Sequence, residues 1–347
     1  MGKFAFDPDA HSLITPEAIR RHNADEAAGG DAAELAARRT QLALMLEFAR
    51  QGFAKGEAAA SVVRRLAAQL HELRGQAAPA VWEDLIPAAQ QHPVSEYLLQ
   101  DPFTAWSFRK PRGYAGDAGL IDLIYRHPSV GHVVESASEL GREIYAYTCA
   151  VDSSEAVRER RTILARSVDE TAARAPGADV LAIACGHMRE TELSQAESDG
   201  TLGRWTGLDQ DPISVATVNA NRADSAVSAV EGSVRGLLRD AYDLGSFDLV
   251  YAAGLYDYLT TRIAVRLTEK ALALLKPGGS FLFANFSDEL ATDGYMETFM
   301  DWPLILRTGD DMAAIMRAAA DGSRYDLDVF FGENRNIVYG RITRPAE

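Results

Sequence analysis

A short apolar run that ends in a glycine turn is the feature that most limits what this chain can fold into. Residues 179–183 read Asp-Val-Leu-Ala-Ile, and Gly186 follows three positions later. The run is too short for a helix and does not alternate, so it predicts a strand buried on both faces of a parallel sheet. Gly186 predicts a tight turn into a helix, whose free N–H groups would lie at the carboxyl end of the strand. This order of elements builds a site for a polar ligand at the sheet edge.

A second short strand, residues 204–209, ends in a carboxylate about twenty residues after Gly186. At that distance a nucleotide-binding fold holds the hydroxyls of a ribose with an acidic side chain. The spacing therefore predicts that Asp209 binds a ribose. The alternative is that Asp209 caps the helix that Pro212 opens.

Further strand ends fit the same sheet. Residues 227–231 lead to Gly232 and Ser233, which are small enough to lie against an adenine, and residues 247–252 open into a loop at Ala253 and Gly254. Residues 274–285 predict a helix end, a Pro-Gly-Gly turn and a fifth strand. Residues 325–331 and 336–341 flank a turn at 332–334, and this pattern predicts an antiparallel hairpin.

These residues resemble the class I S-adenosylmethionine-dependent methyltransferases over about residues 153–347, above all in the Leu-Lys-Pro-Gly-Gly sequence of residues 275–279 and in Asp209. The resemblance implies a doubly wound, Rossmann-like α/β sheet that ends in an antiparallel hairpin. It also implies S-adenosylmethionine as the cofactor and methyl transfer as the activity. The cofactor-binding residues implied by it are Ala184, Gly186, Asp209, Gln210, Gly232, Ser233, Ala253 and Gly254.

A helix over residues 154–174 leads directly into the first strand, so it begins near the carboxyl edge of the sheet. Arg158, early in that helix, is therefore predicted to meet the carboxylate of the cofactor. The alternative for Arg158 is an exposed ion pair.

The chain departs from the family in the glycine motif. Ala182, Ala184, Gly186 and Met188 stand where an acid and three glycines are usual, so only the middle glycine is kept. Alanine replaces glycine readily where φ is negative, whereas Met188 is expected to crowd the methionine part of the cofactor unless the backbone shifts.

A narrower resemblance reaches into the first half of the chain. Residues 110–117, 156–161, 252–259 and 301–307 are similar to bacterial methyltransferases with an N-terminal helical domain that make a 3-hydroxypalmitic acid methyl ester signal. The implied organisation is an all-helical cap over residues 1–150, used for substrate binding and dimerisation, and a cofactor-binding domain over residues 151–347.

Composition limits the partners. The net charge of −15 repels phosphate backbones and anionic lipids, so we expect neither nucleic acid nor membrane as a partner. No apolar run approaches the length of a membrane span. Two cysteines imply no disulfide framework and favour the cytoplasm. The histidines and acids show no metal-ligand spacing, so no metal is expected.

The first 150 residues read as amphipathic helices, over about residues 31–50, 61–75, 81–89 and 118–126, that pack in a bundle or across a homodimer interface. Between them, Arg109, Lys110 and Arg112 concentrate positive charge in an acidic protein. These arginines could clamp the carboxylate of a substrate, or the segment could be a solvated loop in which Asp117 caps the next helix.

The acceptor is expected to meet an aromatic-lined pocket between the two domains, where methyl transfer would be an in-line displacement. Its predicted walls are Tyr256 in the loop after the fourth strand, Trp302 in an insertion over residues 295–302, and Tyr114; aromatic core packing is the alternative. A carboxylate acceptor needs no base. Other acceptors would need one of the candidates Tyr258, Asp257, Glu139, His11, His22 and His187.

The sequence thus predicts a methyltransferase for a small molecule of lipid or secondary metabolism. Carboxyl O-methylation of a 3-hydroxy fatty acid and C- or N-methylation of an indole-like aromatic compound both stay open. An NAD-dependent oxidoreductase, a non-methylating protein of the same fold, and a helical dimer module carrying an inactive domain are the rivals.

Overall fold

The computed structural model describes Ile19 and residues 32–223, 225–320 and 324–346. The chain forms two compact units. The helical unit comprises Met1–Glu155 and Leu290–Leu304, and the sheet unit comprises Ala156–Glu289 and Ile305–Glu347. The first boundary lies near the predicted one at residue 150. Residues 290–304, which we expected in the second domain, belong instead to the helical unit.

The sheet unit contains one seven-stranded sheet in the order β3-β2-β1-β4-β5-β7-β6. Strands β1 to β5 pair in parallel, and β7 runs antiparallel between β5 and β6. The predicted Rossmann-like sheet with its terminal hairpin is therefore confirmed. The strands are β1 Asp179–Ile183, β2 Arg204–Asp209, β3 Val227–Glu231, β4 Phe247–Ala252, β5 Leu275–Phe286, β6 Asp326–Phe331 and β7 Ile337–Thr343.

The apolar run that predicted β1 lies at the centre of this sheet. Val180, Leu181, Ala182 and Ile183 are each at most 1% exposed, as expected for a parallel strand covered on both faces. The strand order reverses between β1 and β4, and ligands of open α/β sheets bind at the carboxyl ends of strands beside such a reversal. The carboxyl ends of β1, β2 and β4 are therefore where this fold is expected to bind a ligand.

The Pro-Gly-Gly turn was expected before the fifth strand, but it lies within β5. Pairing between β4 and β5 shifts register between Phe247 and Leu249, and Gly278 has a φ of +78°. The glycines thus form an irregularity at the start of a long strand, because their backbone tolerates positive φ.

Helices cover the sheet, and two of them begin at side-chain caps that the sequence analysis did not identify. Asp211 caps the helix opened by Pro212, and Thr308 forms a reciprocal capping box with Asp311. The helix Asp152–Arg174 spans the division between the two units in the sequence. The other helical segments are Arg189–Glu192, Gln195–Ser198, Pro212–Asn221, Val234–Leu237, Tyr256–Tyr258, Thr261–Ala273 and Gly309–Ala319.

The helical unit confirms the predicted helices, with ends that differ by a few residues. Asp101 and Asp117 cap the helices on either side of the basic segment. Its helical segments are Ala32–Ala54, Ala59–Gln76, Pro79–Gln91, Ser95–Leu98, Pro102–Arg109, Ala118–Ile124, Pro128–Val130, Gly131–Glu135, Glu139–Thr148 and Asp293–Phe299. Among the helices described, none combines the length and apolar character that crossing a membrane requires.

The segment Asp293–Phe299 is held inside the helical unit by charged groups. Arg74 donates to Asp293 at 2.9 Å and to Glu297 at 3.0 Å, and the indole N–H of Trp82 donates to Glu297 at 2.5 Å. Asp293 and Glu297 are both buried, so these partners offset the cost of removing their charges from water. Sequence reasoning missed this because the partners lie more than 200 residues apart.

Candidate functional site

The turn after β1 has an unusual backbone. Ala184, Gly186 and Met188 have φ values of +53°, +55° and +49°. Ala184 thus does not have the negative φ at which alanine replaces glycine readily, and the turn holds two non-glycine residues in the left-handed region, at a cost of roughly 1–2 kcal/mol each. The helix expected directly after Gly186 is also absent, since only the short helical segments Arg189–Glu192 and Gln195–Ser198 follow.

The side chain of Met188 is buried against β2, and the expectation that it crowds the methionine part of the cofactor unless the backbone shifts stays a prediction. Its side chain is 1% exposed, and its sulfur lies 2.6 Å from the position that a Cβ on Gly207 would occupy. The Sγ of Cys185 approaches the same position equally closely. Gly207 of β2 therefore provides the space that a methionine at the third glycine position needs.

Asp209 connects the turn to the end of β2. One carboxylate oxygen accepts the N–H of Gly186 at 2.7 Å, and the other accepts the N–H of Asp211 at 2.9 Å. Burial raises the pKa of Asp209, although these two backbone donors oppose that shift. The cap of the next helix is Asp211, which accepts the N–H of Ile213, so the alternative role for Asp209 as that cap is wrong.

The ends of β3 and β4 supply the other predicted cofactor residues. Gly232 donates its N–H to the carbonyl of Asp209 at 2.8 Å, and Ser233 caps the short helix Val234–Leu237. Ala253 and Gly254 follow β4, and Gln210 follows β2. The structure thus gathers Ala184, Gly186, Asp209, Gln210, Gly232, Ser233, Ala253 and Gly254 at the carboxyl ends of β1 to β4.

Arg160, which sequence reasoning did not single out, lies beside this edge, and the role expected of Arg158 stays a prediction. The Nη2 of Arg160 lies 3.8 Å from the position that a Cβ on Gly254 would occupy, and it is the one atom of the described residues, chain neighbours aside, within 4 Å of that position. Arg158 is half-buried. The intervening Glu159 accepts the N–H of Glu333 at 3.0 Å, which ties this helix to the hairpin turn. The helix does begin at the carboxyl edge, as predicted.

A buried polar chain that sequence reasoning missed lies beneath the turn. The indole N–H of Trp205 donates to the hydroxyl of Tyr251 at 3.1 Å, and that hydroxyl donates to Glu190 at 2.5 Å. Burial raises the pKa of Glu190, whereas Arg160 and Arg161 act to lower it. The sequence does place Trp205 and Tyr251 in two buried strands, and the polar atom of a buried tryptophan or tyrosine usually has a hydrogen-bond partner. That was the signal from which this chain of hydrogen bonds could have been predicted.

Two residues predicted for the acceptor side are structural in the sheet unit. Tyr256 is fully buried, its hydroxyl pairs with Thr268 at 2.8 Å, and its ring packs on Phe283. Asp257 is 2% exposed and accepts the N–H of Phe286 at 2.6 Å; burial raises its pKa to about 6. These contacts argue against a substrate-binding Tyr256 and a catalytic Asp257. Tyr258 and His187 are half-buried, and their roles stay predictions.

The remaining predicted residues belong to the helical unit. Lys110 forms an ion pair with Asp301, and Asp117 caps its helix while accepting the indole N–H of Trp106. Trp302 is 5% exposed, so it packs in the core of this unit. Arg109 and Glu139 are exposed, whereas Arg112 and Tyr114 are half-buried. Their roles toward a substrate stay predictions, and His11 and His22 lie outside the described residues.

In the described ranges, no group of three or more histidine, cysteine, aspartate or glutamate side chains is placed to hold a metal ion.

Comparison with known proteins gives a fold and no closer assignment. No protein-family model matches the chain, and no curated protein matches it by sequence. A Bordetella parapertussis structure, described as a possible exported protein, is 18% identical with a TM-score of 0.53 and covers 83% of this chain and 96% of that chain. The N-methyltransferase NodS of Bradyrhizobium japonicum, solved with S-adenosylhomocysteine, is 17% identical with a TM-score of 0.40 and covers 56% of this chain and 94% of that chain. The pyocyanin biosynthetic protein PhzM is 15% identical with a TM-score of 0.44 and covers 77% of this chain and 71% of that chain. The chain has an α/β Rossmann-like fold, and the structures similar to it at low identity include S-adenosylmethionine-dependent methyltransferases.

Proposed function

We propose that this chain is an S-adenosylmethionine-dependent methyltransferase that acts on a small molecule. The observation that carries the proposal is Asp209, a buried carboxylate at the end of β2 that is hydrogen-bonded to the turn after β1. In this sheet order, that position is where the hydroxyls of a nucleoside are held.

The residues at the strand ends fit the proposed cofactor. Each carboxylate oxygen of Asp209 has one backbone donor and can accept a second hydrogen bond, which the two hydroxyls of a ribose would supply. Gly232 and Ser233 present small side chains beside β3, where an adenine would lie. When bound, S-adenosylmethionine supplies a methyl group on a positively charged sulfur. The protein's task is then to hold that methyl group and the acceptor in line.

The buried carboxylate of Asp257 bears on the class of acceptor. Asp257 is buried and accepts the N–H of Phe286, which argues against it as the general base. We propose carboxyl O-methylation of an acid such as a 3-hydroxy fatty acid, an acceptor that is already ionised and needs no base. C- or N-methylation of an indole-like compound is the second candidate, with Tyr258 as its base.

Calorimetric titration with S-adenosylmethionine and S-adenosylhomocysteine tests the proposal. We expect wild-type protein to bind both, and Asp209→Asn to bind both more weakly by about 1–3 kcal/mol because a charge-assisted hydrogen bond is lost. Asp211→Asn is the matched control, since asparagine caps helices as well as aspartate does and its affinity should not change. Folded wild-type protein that binds neither nucleoside would refute the proposal. Binding of NADH instead would favour the oxidoreductase.

Three further expectations remain proposals: a homodimer through the helical unit, a cytoplasmic location, and no nucleic-acid or membrane partner. Sedimentation of the purified protein at two concentrations tests the first of them.

A further inference from the structure

The helix Ala32–Ala54 is apolar on the face that it exposes as well as on the face that it buries. Its buried side chains include Leu42, Met45, Leu46, Ala49 and Phe53. An apolar stripe on its exposed face, with members every three or four residues, comprises Ala33, Ala37, Thr40, Leu44 and Phe48. A surface helix normally carries polar residues on its outer face, so a helix that is apolar on both sides indicates that a partner covers it.

Two members of the apolar stripe expose more than half of their surface. Leu44 is 56% exposed and Phe48 is 60% exposed, and they lie one above the other on adjacent turns. The neighbouring helix Ala59–Gln76 exposes charged residues such as Arg64 and Glu72 instead. Apolar surface that is continuous in this way marks an interaction site, whereas scattered single residues do not.

The sizes of the side chains along the apolar stripe indicate a second copy of the chain as the partner. The stripe is small at its amino end, at Ala33 and Ala37, and large at its carboxyl end, at Leu44 and Phe48. In an antiparallel pair, Leu44 of each copy lies against Ala37 of the other, and Phe48 lies against Ala33. Each large side chain then meets a small one, and the two-fold axis passes between residues 40 and 41.

The charged residues beside the apolar stripe already have partners in their own chain. Glu47 accepts hydrogen bonds from the Nε of Arg50 at 2.8 Å and from its Nη2 at 2.7 Å. Arg38 donates to the side chain of Gln76 at 3.0 Å. A contact that removes water from this face therefore leaves neither Glu47 nor Arg38 as an unpaired charge, which would be the costly outcome.

The length of the apolar stripe sets the expected strength of the contact. From Ala33 to Phe48 it extends about 22 Å, on a helix that is about 10 Å wide. This footprint is smaller than the roughly 800 Å² that each partner contributes to a standard interface. The contact should therefore be reversible, with a dissociation constant in the micromolar range.

We propose that the apolar stripe is the surface through which two copies of this chain form an antiparallel, two-fold symmetric dimer. This inference rests on the homodimer of the proposed function and names its interface, and it does not depend on methyl transfer. Because both copies contribute the same residues, one substitution changes the interface twice.

Sedimentation of the protein over about 1–100 μM tests the surface. We expect wild-type protein to dimerise, and we expect Leu44→Glu and Phe48→Glu each to weaken dimerisation by at least about 100-fold, because each buries two charges in an apolar contact. Leu193→Glu is the matched control, since Leu193 is 45% exposed in the sheet unit, and it should leave the dimer unchanged. All three residues are exposed, so the variants should keep the melting temperature of wild type.

A second pair of variants separates size matching from general apolar attraction. Ala37→Leu adds apolar surface, which would strengthen a non-specific association. In the antiparallel contact the new side chain instead meets Leu44 of the second copy, so dimerisation should weaken about tenfold. Combining Ala37→Leu with Leu44→Ala exchanges the large and small positions and should restore most of the affinity.

Single cysteines test the direction of the pairing. Thr40→Cys lies beside the two-fold axis and should form a disulfide between copies in oxidised glutathione, because the Cβ atoms there come within bridging distance. Leu44→Cys should form none, since its two copies are offset by about 10 Å along the helices. The wild-type chain, in which Cys149 is buried and Cys185 is half-buried, is the control.

The outcomes separate this inference from the proposed function. Wild-type protein that stays monomeric up to about 100 μM overturns both the homodimer and its interface, and would make a segment of the same chain, such as residues 1–18, the partner of the stripe. If wild-type protein dimerises and the Leu44 and Phe48 variants dimerise equally well, only the interface is overturned. A disulfide at residue 44 but not at residue 40 overturns the antiparallel pairing. Methyl transfer is tested separately by the cofactor titrations.

Discussion

Replacing Ala184 by glycine should stabilise the sheet unit, although alanine-to-glycine changes usually destabilise proteins. Ala184 has a φ of +53° and is exposed, so glycine relieves strain of roughly 1–2 kcal/mol and loses little packing. Greater freedom of glycine in the unfolded chain opposes this by about 0.4–1 kcal/mol. The net expectation is that the free energy of unfolding rises by roughly 0.5–1 kcal/mol.

Ala216→Gly is the matched control for this change. Ala216 is an exposed residue inside the helix Pro212–Asn221, where glycine costs about 1 kcal/mol. Hydrogen exchange of the amides in β1 reports the opening of this sheet, and it should slow in Ala184→Gly and quicken in Ala216→Gly. If both variants exchange faster than wild type, the positive φ is not a source of strain and the reasoning fails.

Three other predictions follow from contacts described above. Gly294→Ala should destabilise the helical unit by at least 1–3 kcal/mol, because its Cβ would lie 2.6 Å from the backbone of Leu70; an unchanged melting temperature would contradict this. Gly207→Ala should destabilise the sheet unit by about 1–3 kcal/mol, because the added Cβ would clash with the sulfur of Met188. In a double-mutant cycle measured by urea unfolding, Met188→Ala should recover part of that loss. Strictly additive effects of the two changes would refute the contact. Burial raises the pKa of Asp257 from 3.8 to about 6, so the folded protein holds this proton more tightly than the unfolded chain does. The free energy of unfolding should therefore fall by up to about 3 kcal/mol as the pH rises from about 4 to about 6. Urea titrations at several pH values should show a smaller fall for Asp257→Asn, which lacks this titrating group. An identical pH dependence in both proteins would refute the prediction.

The strands and the place of Asp209 were predictable because their signals are local. An uninterrupted apolar run identifies β1, and a short strand that ends in an acid identifies β2, whatever the rest of the chain does. The hairpin of β6 and β7 was equally predictable, because two strand-like segments flank a turn at residues 332–334. Such features depend on neighbours in the sequence, and the structure reproduces them with ends that differ by one or two residues.

Features that depend on distant partners were not predictable. Arg158 and Arg160 differ by two residues, which is about 200° around a helix, so they lie on nearly opposite faces, and the sequence does not show which face meets the sheet edge. The conformation of Ala184 follows from the turn that Asp209 holds, and the propensity of alanine gives no hint of it. The buried state of Asp257 required knowing that the backbone of β5 meets it.

The insertion of Leu290–Leu304 into the helical unit has a consequence for how the protein is made. The N-terminal part of this unit leaves the ribosome 134 residues before the insertion does, since Ala156–Glu289 is synthesised between them. At 5–20 residues per second, that interval is on the order of 10–30 s. During this time Arg74 and Trp82 lack the carboxylates that they hold in the finished unit. Arg74 and Trp82 are therefore among the residues that finish folding late, although strands β1 to β5 are all translated after them and before the helical unit can be completed.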